Sequence, residues 1–119
     1  MTQEDKELLL KDLCSRLPYG VKVNITSKET KNRIVHLTAD NICNLTSGWW
    51  SECKPYLFPL SSMTEEQSKI YHELIHGMFG TSALINFEAL EEFFHKNHID
   101  YRGLIPMGLA IDATDLNIY

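Results

Sequence analysis

A change of hydrophobic period near residue 20 constrains this chain more than any other feature. Up to that point Leu9, Leu10, Leu13 and Leu17 recur at spacings of three and four, which places them on one face of a helix. Glu4, Asp5, Glu7, Lys11 and Asp12 fall mostly elsewhere on that wheel. Thr2 is positioned to cap the helix, with Glu4 and Asp5 in its first turn. Pro18-Tyr19-Gly20 ends it. Beyond the break, Val21, Val23 and Ile25 alternate with Lys22, Asn24 and Thr26, the period of a half-buried strand. A helix that yields to a strand within a few residues, in a chain of 119, predicts a single α+β domain over residues 1–119.

The rest of the chain extends that reading. Ser27 to Asn32 reads as a turn and Arg33 to Thr38 as the returning strand of a hairpin. A lone hairpin is marginal in water, so a third strand is expected around Trp49 to Lys54. Pro55 and Pro59 bracket Tyr56-Leu57-Phe58, an extended segment expected to cover an open edge of the core. Thr64 and Gln67 have the spacing of a capping box for a second helix that runs to about Phe79, stopped by Gly77 or Gly80. A third helix is expected over roughly Phe87 to Asn97, burying Phe87, Leu90, Phe93 and Phe94. The sequence therefore predicts a small antiparallel sheet of about three strands packed against three helices. The apolar run Leu109-Ala110-Ile111 offers a further short strand or docking segment.

Composition narrows the function classes. Hydrophobic residues form 44% of the chain and charged residues 23%, as in ordinary globular proteins rather than disordered ones. The formal net charge of −5 repels phosphate backbones and anionic lipid, and Lys and Arg are scattered, so no nucleic-acid partner is expected. No apolar stretch approaches the roughly 20 residues that span a bilayer, and Met1 to Lys6 is polar, so no membrane association is expected. Cys14, Cys43 and Cys53 are odd in number and are expected as reduced thiols, with the cytoplasm as the location.

One motif carries chemistry. His72-Glu73-Leu74-Ile75-His76 matches H-E-x-x-H. Imidazoles at i and i+4 share one helix face and can grip a zinc ion, while the intervening Glu polarises the bound water. In that reading His72 and His76 are metal ligands and Glu73 is the catalytic base. Chance alone produces such a match in roughly 2% of chains of this composition, and the wheel argues against it. Ile70, Tyr71, Leu74, Ile75, Met78 and Phe79 form the apolar stripe, leaving His72 and His76 beside Glu65 and Lys69 on a wet face. The extended H-E-x-x-H-x-x-G-x-x-H spacing fails, because Phe79 and Ser82 stand at its last two positions. Glu88, Glu91, Glu92, His95 and His98 could supply a third ligand, yet none has a distinguishing spacing. The primary expectation is thus no catalytic residue, metal or cofactor, with zinc as the alternative.

Other candidates concern surface rather than reaction. Cys43 and Cys53 lack C-x-x-C spacing. His95 and His98 lie near a helix end, where imidazoles commonly meet the last carbonyls or the helix dipole. No phosphate loop, nucleophile elbow or dinucleotide fingerprint occurs. Trp49 and Trp50 are adjacent, and neighbouring strand residues face opposite sides. If one enters the core, the other lies near the surface, where Trp often anchors a partner.

Three segments, Leu9 to Val21, Lys54 to Thr64 and His98 to Ile105, together resemble a group of small uncharacterised proteins of gut Bacteroides and their phages or mobile elements. The resemblance implies an origin and no mechanism, and it does not extend over the H-E-x-x-H. The expectation is a noncatalytic accessory domain that binds another protein, or a second copy of itself, through Trp49 or Trp50. The alternative is a minimal zinc hydrolase built on His72, Glu73 and His76.

Overall fold

The computed structural model describes residues 2–26, 33–46, 52–76 and 87–119, without the side chains of His76 and Phe87. Helix α1 (Gln3–Arg16) begins as expected, with the Thr2 hydroxyl accepting from the Asp5 N–H and the Asp5 carboxylate accepting from the Thr2 N–H. Gly20 adopts φ +70, a left-handed conformation open to glycine without strain, and turns the chain into β1 (Lys22–Thr26). Val21, Val23 and Ile25 are buried. Strand β2 (Arg33–His36) returns antiparallel, with Val23 facing Val35 and Ile25 facing Arg33. The segment expected as the hairpin turn lies outside the described residues.

The third strand begins at Glu52 and is longer than the sequence reading. Strand β3 (Glu52–Pro59) runs straight through the segment expected as a covering flap, and Cys53, Pro55, Tyr56 and Leu57 are buried within it. Proline removes a ladder donor. Pro55 is tolerated because it faces only Val23 of β1 among the described pairings. Two short strands then join β3 in parallel: β4 (Ile99–Asp100) at Phe58 and Pro59, and β5 (Ile111–Asp112) at Tyr56 and Leu57. The strand order is β2-β1-β3-β4, with β5 also on β3. The sheet is therefore mixed, with an antiparallel three-stranded part as expected. Parallel pairing requires a long crossover, and α3 (Glu65–His76) and α4 (Phe87–Lys96) lie on the path from β3 to β4.

A fourth helix, α2 (Ala39–Thr46), was not expected. Thr38 and Asn41 exchange hydrogen bonds across its first turn, and Ile42 and Leu45 pack against the main core. The Thr64 and Gln67 box opens α3 as expected, with both reciprocal bonds formed.

The buried side chains fall into two clusters. The larger joins Leu9 and Leu13 of α1 to Val21, Val23, Ile25, Cys53 and Leu57, and is closed by Leu37, Leu104, Leu109 and Ala110. Each such leucine removed from water contributes roughly 1.5–3 kcal/mol. The smaller gathers Phe93, Phe94 and Ile99, with Met63, Tyr71, Leu74, Leu90 and Tyr101 against them. Among the described residues no helix is long and apolar enough to cross a membrane.

Candidate functional site

The H-E-x-x-H lies in one continuous helix, so α3 carries residues 72 and 76 one turn apart. Tyr71 and Leu74 turn toward Phe93 and Phe94, while His72 and Glu73 are exposed. Ile70, expected in the apolar stripe, is 40% exposed, because the second helix of the pair covers only the Tyr71 and Leu74 side. Met78 and Phe79 lie outside the described residues, as does the His76 side chain. Among the described residues no three His, Cys, Asp or Glu side chains gather around a point that could hold a metal ion. His95 and His98, considered as third ligands, are committed elsewhere: His95 to the Tyr101 hydroxyl at 2.8 Å and His98 to a stack on Tyr119. Trp49 and Trp50 lie outside the described residues, immediately before β3.

The densest polar chemistry is a buried seam between the two hydrophobic clusters. Asp12, expected on the wet side of α1, is fully buried together with Arg16. Arg16 Nε donates to Asp12 Oδ2 at 2.8 Å, and its Nη2 donates to the Ile99 carbonyl of β4 at 2.7 Å. The second carboxylate oxygen of Asp12 accepts from Arg102 Nε at 3.1 Å. Both guanidiniums lie near the Tyr101 ring, Arg16 at 5.6 Å and Arg102 at 4.8 Å from its centre. Its other contacts are a stack on Phe94 at 4.8 Å and the bond to His95.

Burial and the two arginines set the protonation of the seam. Burial lowers the His95 pKa, and the nearby Arg16 charge lowers it further. The same two causes push His98 down to about 4. Burial raises the Tyr101 phenol. Near neutral pH the seam thus holds two neutral imidazoles and a neutral phenol around an arginine-aspartate-arginine triad. Arg16 Nη1 and His98 Nδ1 are buried without a hydrogen-bond partner among the described residues. The arrangement ties α1 to the β4 region, through the Arg16 bond to the Ile99 carbonyl and the Arg102 bond to Asp12, and its one base–hydroxyl pair among the described residues is His95 with Tyr101.

The sequence held a signal for this seam. Leu9, Asp12, Leu13 and Arg16 follow the i, i+3, i+4, i+7 positions of one helix face, so an oppositely charged pair continues the apolar stripe. Arg102 and Tyr101 had no local signal, since only the chain's return through β4 brings them to α1.

At the opposite end of β3 the character reverses. β2 is the outer strand of the described sheet, and Arg33, Ile34 and His36 are exposed, with Ile34 at 52%. Thr26, Arg33 and Glu52 end or begin their strands here, and Trp50 and Trp49 precede Glu52 by two and three residues in the sequence. No family model matches the chain, and no curated protein or solved structure matches it.

Proposed function

We propose that the chain is a noncatalytic interaction domain, of the accessory kind carried by phages and mobile elements, acting in the cytoplasm. It binds another protein or a second copy of itself through the outer β2 edge and the Trp49-Trp50 stretch. The observation that carries this reading is the half-exposed Ile34 on the terminal strand of the sheet. An open strand edge offers backbone donors and acceptors to an incoming strand, and an apolar residue on it adds area to bury. The net charge of −5 favours protein over nucleic acid as partner.

The test uses Ile34→Lys and Trp50→Ala in the full chain. Light scattering of the wild type at high micromolar concentration reads self-association, and affinity capture read by mass spectrometry reports partners. Loss of the dimer, or loss of a specific captured protein, in both variants supports the reading. A monomeric wild type whose captured proteins are the same as those of both variants overturns it.

The exposed His72 on a continuous helix supports a second reading, a zinc hydrolase with His72 and His76 as ligands and Glu73 as base. Elemental analysis of untagged protein separates the two. Stoichiometric zinc that is lost in His72→Ala would favour the hydrolase, and zinc far below stoichiometry would remove it.

A further inference from the structure

The pairing of β1 with β3 runs from Thr26 facing Glu52 to Val23 facing Pro55, so the next facing residues are Lys22 and Tyr56. A third group stands between their backbones. The Tyr119 hydroxyl accepts from the Lys22 N–H at 2.9 Å and donates to the Tyr56 carbonyl at 2.7 Å. A phenol has one donor and acceptor lone pairs, and both roles are used. Tyr119 is 43% exposed, and its ring meets the protein on one side. It stacks on His98 with centroids 3.9 Å apart and planes within 10°, lies 5.8 Å from Phe58, and has the Lys22 ammonium 5.9 Å from its centre. That ammonium also donates to the Ile118 carbonyl.

The strap that delivers Tyr119 is otherwise lightly held. Asp115, Leu116 and Asn117 are exposed, and Asp115 and Asn117 have φ of +65 and +52, conformations that cost non-glycine residues energy. Upstream, Thr114 bonds to Asp112 and to the Ser62 hydroxyl. Attachment beyond Thr114 among the described residues is the Leu116 N–H bond to the Ala113 carbonyl, the Lys22 ammonium on Ile118 and the phenol of Tyr119, and segments with few buried contacts open most readily.

We infer that the niche formed by the Lys22 N–H, the Tyr56 carbonyl and the His98 and Phe58 rings is a recognition site for a tyrosine side chain on an extended segment. Tyr119 fills it in cis, and a tyrosine of a partner polypeptide takes its place when the strap swings away. The hydroxyl sets the specificity. Phenylalanine would fill the ring space but lose both bonds; water can replace the phenol at the exposed Lys22 N–H, so the discrimination comes chiefly from the part-buried Tyr56 carbonyl. The site lies away from Ile34 and does not depend on the β2 edge.

Removing the side chain and returning its chemistry tests the site. In the 119-residue chain carrying Tyr119→Ala the thermal midpoint is expected to fall by several degrees. Millimolar 4-methylphenol should restore most of the loss by filling the vacancy. Toluene should restore less than half as much, and the wild type should respond to neither. The acetylated peptide Leu-Asn-Ile-Tyr should bind the alanine variant about tenfold more tightly than the wild type, whose niche is filled. Equal rescue by 4-methylphenol and toluene, no rescue by either, or equal peptide affinity for the two proteins overturns the inference. If the alanine variant does not fold alone, refolding by 4-methylphenol supports the site. Tyr119→Phe gives an independent reading: the Lys22 amide should exchange with solvent about tenfold faster than in the wild type, and unchanged exchange overturns the inference.

Discussion

His98 combines several conditions that rarely coincide in one residue. It has φ +57, its Nδ1 is buried without a hydrogen-bond partner among the described residues, and its ring lies flat on Tyr119. Burial and the Arg16 charge lower its pKa from the ordinary 6.5 to about 4, so the folded protein keeps it neutral where the unfolded chain would protonate it. A proton taken up only by the unfolded state pulls the equilibrium toward unfolding. Stability contributed by the neutral ring is therefore complete above pH 6.5 and declines as pH falls toward about 4. His95 shifts in the same direction, for the same leading cause, and adds to the slope. Urea unfolding measured between neutral pH and about pH 4 checks this. His98→Asn, which tolerates the left-handed backbone and has no titrating ring, should show a shallower decline than the wild type.

At the scale of elements, the helices that cap themselves are the ones that local chemistry specifies. Thr38→Ala and Thr64→Ala each remove a hydroxyl that accepts from the third residue of its helix, and each should cost about 1 kcal/mol in chemical unfolding. The Thr64 box was legible because Gln67 matches the familiar acidic or amide position before an apolar run. The Thr38 box used Asn41 instead, and the eight residues of α2 were too short to show a clear period beside the preceding strand. The antiparallel part of the sheet was legible from the Val21, Val23, Ile25 alternation. Strands β4 and β5, of two residues each, were not, because two residues hold no period and only β3 gives them a partner. Pro55 and Pro59 hid the continuation of β3, since a proline reads as a break unless the neighbouring strand is known to need no donor there. The candidate site was less legible than the fold. The H-E-x-x-H was visible, and its His72 and Glu73 are exposed, whereas the seam joins residues 12 and 102, whose contact no local pattern encodes.

For the whole molecule, β3 is the spine that joins two unlike ends. Its eight residues span roughly 26 Å. One end carries β2, the outer strand among the described residues, and the other is packed by α3, α4 and the smaller hydrophobic cluster. The seam bonds α1, which belongs to the larger cluster, to the β4 region beside the smaller one. Arg16→Ala would strand the Asp12 carboxylate with Arg102 alone and remove the bond to Ile99, at an expected cost of about 3–5 kcal/mol. Hydrogen exchange in that variant should show α4 and β4 amides opening before those of β1, because the weakened tie lies between them. A uniform acceleration across both halves would show that the seam does not divide the molecule in this way.

One aspartate serving two guanidiniums also limits how this chain can drift. Replacing it alone would orphan a cation in each half, and neither arginine can be traded for a neutral residue without upsetting the charge shared by the other. In descendants of this sequence, positions 12, 16 and 102 should change as a trio or not at all.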